Sequence, residues 1–379
     1  MNLLKNMELV PKLITYRLAK KRLIKTPKPV TLTLSITSAC QSLCKTCNIG
    51  MVYQENPSMM KDDLTLDEIE KMFKNIGHVY YFNISGGEPF LRKDIVEIVK
   101  LACKYLSPNV IHTPTNALTP SLIEKRTEEI LKWMEENGYE KIPFTIKPSY
   151  DGVGKDHDFV RGVDGNFEKL METYKLLKNL QKRYPNLKVG LGTVISNFNV
   201  DKIKDIADFA YTLNPDTYIN EVAENRTEMW NEKDNITPSA ERYKHAIEYF
   251  ANRTREEMKS KRGVSRAMYA FRQVYYDLVV EILKQKTQVI QCYGGITNVH
   301  VNAKGEVWPC CVLGYSKPMG NLRDYDFEFK RLWHSKQAKI VRKFIHEKRC
   351  ACPLANQSYS NILLHTPSLI KVIRYALFR

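Results

Sequence analysis

The chain has 379 residues, 43% hydrophobic and 26% charged, which supplies a core for one large α/β domain and a smaller one and excludes a disordered tail. Lysine and arginine outnumber aspartate and glutamate by 58 to 42, for a formal charge of +16; this favours an anionic partner without choosing among RNA, lipid headgroups and phosphorylated substrates. No run reaches the about 18 uncharged apolar residues of a membrane span. Nine cysteines, with an N-terminus (Met1-Asn2-Leu3-Leu4-Lys5) that lacks a signal-peptide core and cleavage site, point to a reducing, cytoplasmic setting and metal-binding thiols.

Residues 1–28 and 357–379 mix apolar and basic residues at near-helical spacing, from Leu13 to Lys25 and from Leu369 to Arg379. Each reads equally well as an amphipathic helix packed on the protein and as a segment resting peripherally on the anionic inner face of a membrane. From 29 to 225, short apolar or β-branched runs alternate with longer helical stretches. Strands are predicted at 30–37, 79–85, 110–115, 144–149, 189–195 and 217–221, and helices at 66–76, 94–105, 121–137, 167–183 and 200–213. Thr65-Leu66-Asp67-Glu68 has the form of a capping box opening the first helix. Six such repeats predict an α/β partial (β/α)6 TIM-like barrel with its site at the carboxyl ends of the strands. Residues 226–287, charged and rich in tyrosine, read as a helical connector or lid. Residues 288–356, with glycines, short strands and clustered cysteines, read as a small α+β iron–sulfur domain.

Two motifs carry the chemistry. Cys40-x3-Cys44-x2-Cys47 follows the first predicted strand; iron–sulfur clusters usually take four thiolates, so three leave one iron open, as in a catalytic metal site. Ser85-Gly86-Gly87-Glu88-Pro89 follows the second, where two glycines let backbone approach a small ligand and proline fixes the turn. Singly, these read as a zinc knuckle and an ordinary turn; their order on successive strands gives them weight.

Together they resemble the radical S-adenosylmethionine (SAM) superfamily. The resemblance implies that Cys40, Cys44 and Cys47 bind a [4Fe–4S] cluster whose open iron chelates SAM, and that Gly86, Gly87, Glu88 and Pro89 hold the SAM amino group. It assigns Asn116, Ser149 and Asp151, at the ends of the third and fourth strands, to ribose and carboxylate, and the fifth strand with Val194 to adenine. Such residues are equally turn formers, and the strand's glycines equally serve close packing. Arg161-Gly162 matches a family stretch with no role beyond shaping its loop. The implied activity is reductive cleavage of SAM to a 5′-deoxyadenosyl radical that abstracts hydrogen from a substrate, with flavodoxin or ferredoxin as electron donor. No particular acid or base is required.

Cys292-x12-Gly305-x4-Cys310 resembles the opening of the auxiliary-cluster domains called SPASM and twitch. With Cys350 and Cys352 it implies one auxiliary [4Fe–4S] cluster, since a full SPASM domain uses more cysteines than the five found here. Cys311 reads as a packed thiol or alternative ligand, the Cys350-x-Cys352 spacing is tighter than usual, and a structural zinc on the same four thiolates is the rival. Cys103, among Leu101, Ala102 and Leu106, reads as a small buried hydrophobe. For substrate, the basic, apolar ends favour a lipid, lipid-linked glycan or small metabolite over a peptide, because the segment before residue 30 is too short for a winged-helix peptide-binding domain. No RNA-binding module is recognisable, so no nucleic acid partner is expected. A non-catalytic electron-transfer or scaffold protein is the alternative class.

Overall fold

The computed structural model describes residues 9–378; the first eight residues of the basic N-terminal segment and Arg379 lie outside them. Strands β1 (Thr31–Ser35), β2 (Tyr81–Ser85), β3 (Val110–Thr115), β4 (Phe144–Pro148) and β5 (Leu187–Val189) pair in parallel in chain order. Helices Leu66–Ile76, Ile95–Leu101, Pro120–Glu136 and Asn166–Arg183 lie in the connections. Leu32, Leu34, Phe82, Ile84, Ile111 and Phe144 are fully buried, as expected of a sheet covered by crossover helices. The capping box forms: Glu68 N donates to Thr65 Oγ1 at 3.3 Å and Thr65 N to Glu68 Oε2 at 2.9 Å.

The single strand predicted at 189–195 is broken at Gly190. A Cβ there would stand 2.5 Å from Thr217 Oγ1, so the missing side chain lets the next strand's approach come close while the chain turns a corner. β5 pairs back to β4, whereas β6 (Leu191–Ile195) pairs forward with β7 (Tyr218–Val222). A parallel bridge from Ser149 to Gly192 joins the two groups. The parallel repeat is the expected α/β arrangement, left open rather than closed by hydrogen bonds.

β8 (Asn298–Val301) adds in parallel to the free edge of β1, with Thr31 opposite Asn298, and β9 (Glu306–Trp308) and β10 (Gly320–Asn321) follow antiparallel, giving an eight-stranded sheet. The segment expected to form a small C-terminal domain therefore begins by extending the core sheet. Between the two regions, helices Ala240–Ser260 and Gly263–Gln285 form a hairpin that buries Tyr243, Phe250 and Tyr275 in the same core. Among the described residues each terminal segment contains a helix. Leu9–Lys20 packs Tyr16 and Ala19 against Tyr293, Ile296 and Leu364, and Thr366–Phe378 is tied to the second hairpin helix by Tyr375 Oη to Asp277 Oδ2 at 3.3 Å. Among the described residues, no helix is long and apolar enough to cross a membrane.

Candidate active site

The loop after β1 carries Cys40, Cys44 and Cys47 and is held from three sides. Gly87 N donates to Thr37 O at 3.0 Å and Glu88 N to Ala39 O at 2.7 Å, an approach that needs glycine because a Cβ on Gly87 would lie 2.1 Å from Ala39 O. On a second side, Lys45 N donates to Val160 O at 2.9 Å, and Gly162, with φ +68°, would place a Cβ 1.9 Å from Leu43 O. That contact gives the Arg161-Gly162 pair its structural role. On the third, Asn48 N donates to Met229 O at 3.0 Å, and Asn231 Nδ2 to Thr46 O at 2.8 Å. Burial, and then the neighbouring charge of Cys44, pushes the Cys40 thiol up to about 11, and burial raises Cys44 and Cys47 as well. Iron binding would therefore have to displace their protons.

Arg161 is the counter-charge. Its Nη1 donates to Asp151 Oδ2 at 3.2 Å; burial opposes its charge, but Cys44, Asp151 and Cys40 outweigh that and hold it protonated. Asp151 also accepts from Val194 N at 2.8 Å through Oδ1, so both its oxygens are used within the protein. Glu88 is fully buried, accepting from Asn116 N at 2.6 Å, Thr115 Oγ1 at 3.0 Å and Phe90 N at 3.1 Å. Burial pushes this carboxyl up to about 7 against those hydrogen bonds. Its carboxylate ties the ends of β2 and β3 together, leaving the backbone of the glycine turn to face a ligand. Asn116 reaches both Gln41 Oε1 at 3.1 Å and Cys40 Sγ at 3.9 Å.

Six of the eight expected SAM-contacting residues, Gly86, Gly87, Glu88, Asn116, Ser149 and Val194, share one cavity of about 310 Å³ with all three cysteines, at the lower end of small-molecule sites. Pro89 and Asp151 do not line it: Pro89 is buried at the start of the turn Pro89–Leu91, and Asp151 sits behind Val194 and Arg161. The same cavity is also lined by residues the sequence did not single out: Asn83, His112, Lys147, Glu221, Glu224 and Arg226. Their signal was position alone, since Asn83, His112, Lys147 and Glu221 lie on core strands and Glu224 and Arg226 closely follow the last of them.

A smaller cavity of about 90 Å³ continues from there. It shares Asn83, Ser85, Glu221, Arg226 and Asn356 with the first and reaches Cys310 and Cys311. Here the adjacent cysteines part. Burial first, then the charges of Cys311, Cys292 and Cys350, raises Cys310, and burial, then Glu224, Cys310 and Cys292, raises Cys352, so each of these two thiols lies within electrostatic reach of Cys292. Cys311 turns to Arg226 and, with Glu228 and His300, forms the one group of three potential metal-binding atoms within 4.8 Å of one another among the described residues. No three cysteines are that close. Cys103 is fully buried in the core, away from both sites.

Comparison with known proteins agrees with this geometry. The model of the radical SAM superfamily matches residues 34–210, and that of the SPASM iron–sulfur cluster-binding domain matches 292–353. This chain is a radical SAM enzyme with a SPASM domain. Proteins of this build bind a [4Fe–4S] cluster with SAM in the first domain and auxiliary iron–sulfur clusters in the second. An AdoMet-dependent heme synthase of Methanosarcina barkeri is 23% identical over 329 residues, covering 84% of this chain and 85% of that protein. The subtilosin biosynthesis protein AlbA of Bacillus subtilis is 23% identical over 346 residues, covering 87% and 66%. The radical SAM SPASM fold is shared with anSMEcpe with bound AdoMet (TM-score 0.57, 18% identity, covering 92% of this chain and 97% of that one). It is shared also with Streptococcus suis SuiB (TM-score 0.57, 20% identity, 90% and 73%).

Proposed function

We propose that Cys40, Cys44 and Cys47 hold the SAM-cleaving [4Fe–4S] cluster and that Gly86, Gly87, Glu88, Asn116, Ser149 and Val194 form the SAM pocket, shaped from behind by Pro89 and Asp151. Cys292, Cys310, Cys350 and Cys352 hold the auxiliary cluster. The observation that carries this reading is the continuity of the two cavities, which runs from the three-cysteine loop to Cys310. When bound, the cluster and SAM supply a 5′-deoxyadenosyl radical, released with methionine by one-electron cleavage, that removes a hydrogen atom from a substrate carbon. A cytoplasmic flavodoxin or ferredoxin supplies the electron.

The protein's own groups orient the substrate. Lys147 lies 3.8 Å from Glu221, and Arg226 lies 2.9 Å from Glu224, so these charges cancel in the wall and the chain's positive excess sits elsewhere. His112 Nδ1 donates to Asn83 Oδ1 at 2.6 Å; burial, and then Lys147, keeps the ring neutral. Its Nε2, Glu224 Oε2 and Arg226 Nε have no protein partner. A lipid tail would leave these atoms unpaired at a cost of about 1–3 kcal/mol each. The wall therefore favours a substrate rich in hydroxyl or amine groups without large net negative charge, which narrows the expected lipid, lipid-linked glycan or small metabolite to its polar members. A peptide side chain fits the same wall, and the similarity to AlbA over 87% of this chain speaks for that second reading.

The test is anaerobic reconstitution with iron and sulfide, followed by incubation with SAM and dithionite. Roughly eight irons per chain and formation of 5′-deoxyadenosine are expected. Fully loaded protein that forms none would leave the electron-transfer or scaffold alternative in its place.

A further inference from the structure

Thirteen large apolar side chains are exposed among the described residues, and six of them, Ile14, Leu23, Ile24, Ile370, Ile373 and Leu377, lie on the two terminal segments. These segments make up about a seventh of the chain, so the concentration calls for a cause. Ile370, Ile373 and Leu377 recur at i, i+3 and i+7, which sets them in one stripe along Thr366–Phe378, on the side away from buried Val372. Leu23 and Ile24 stand in the exposed run Lys21-Arg22-Leu23-Ile24-Lys25 that follows the first helix. The two segments adjoin: Arg17 Nε donates to Leu364 O at 3.1 Å, and Tyr16 and Ala19 pack on Leu364.

Charge supplies the second observation. Neither residues 9–54 nor residues 348–379 contain an aspartate or glutamate. Lys21, Arg22, Lys25, Lys371 and Arg374 are all exposed around the apolar side chains, whereas the active-site wall is charge-balanced. Exposed apolar residues ringed by cations from their own segments, with the exposed Asp277 of the neighbouring helix engaged by Tyr375, match the headgroup and acyl boundary of an anionic bilayer.

We propose that the paired terminal helices form a docking surface for an anionic membrane, on which Leu23, Ile24, Ile370, Ile373 and Leu377 insert while the five cations engage lipid headgroups. The proposal goes beyond the SAM chemistry and does not rest on it. It is tested by flotation of the full-length, cluster-loaded protein with vesicles of phosphatidylcholine alone or containing phosphatidylglycerol. Binding is expected to the anionic vesicles only and to weaken with salt. The variants Leu23→Ser with Ile24→Ser, and Ile370→Ser with Ile373→Ser and Leu377→Ser, are expected to lose about tenfold or more in binding while keeping iron content and SAM cleavage. No binding to anionic vesicles, or equal binding by the serine variants, overturns the proposal. So does a result in which the variants change only self-association in sedimentation, which would make the face a contact between two copies. Retention of iron by the variants separates a lost surface from a lost fold.

Discussion

The first cysteine group lies within one loop, residues 40–47, whereas the second is gathered from residues 292–352. The first is gripped by backbone contacts from 87–88, 160–162 and 229–231, and its thiols share a cavity with the glycine turn. The second is steadied by side chains from remote elements: Gln288 Nε2 lies 3.5 Å from Cys350 Sγ, and Lys20 Nζ donates to Cys292 O at 2.5 Å. The difference teaches that a site able to offer one open iron needs a stiff loop with a ligand pocket beside it, while a site closed by four thiolates needs only that its elements meet.

Replacing one cysteine at each site should divide the two most sharply. Cys44→Ala is expected to lower 5′-deoxyadenosine formation on the order of a thousandfold or more and to remove roughly four irons. Cys310→Ala should remove a similar amount of iron yet leave SAM cleavage within about tenfold, and Cys311→Ala should keep both clusters. Iron analysis with electron paramagnetic resonance checks all three, and loss of iron in Cys311→Ala would reverse the assignment of the adjacent pair.

Next in size is the buried pair behind the first loop. Arg161→Met strands the Asp151 carboxylate and is expected to cost about 3–5 kcal/mol, read from denaturant unfolding; an unchanged midpoint would show that the pair carries no load. Glu88 gives a pH signature. The folded state keeps its proton up to about pH 7, against an ordinary value of 4.5, so it binds more protons than the unfolded chain in that window and stability falls as pH rises through it. Glu88→Gln should remove up to about 3 kcal/mol of that dependence, and an identical pH profile in the variant would contradict it. The smallest effect is expected of Gly162→Ala, about 1–3 kcal/mol, with iron lost from the first site and retained at the second. Equal loss from both would mean that the loop and the C-terminal site fold as one unit.

Much of the first site was legible because its parts are local. The cysteine spacing, the glycine turn and the capping box at Thr65 are set by residues within a few positions of one another, and β-branched runs mark the strands wherever one face is wholly buried. The break at Gly190 was not legible, since an unbroken apolar run does not reveal which neighbour each half will pair with. Nor was the role of Arg161, whose partners Cys44 and Asp151 are distant in sequence or hidden by the loop between them. The separation of Cys310 from Cys311 needed the pairing of β8 with β1 and of β9 with β8.

By itself the sequence determined the order of strands and helices, the open three-thiolate loop and the cation-rich ends, because each is a matter of residue type and spacing. Only the tertiary structure decided what those features face. Burial among distant residues turned Glu88 into a tie between strands, cancelled the cavity's charges in pairs and joined the two cysteine groups through connected cavities, and side-chain packing over long sequence separations is what no local pattern encodes.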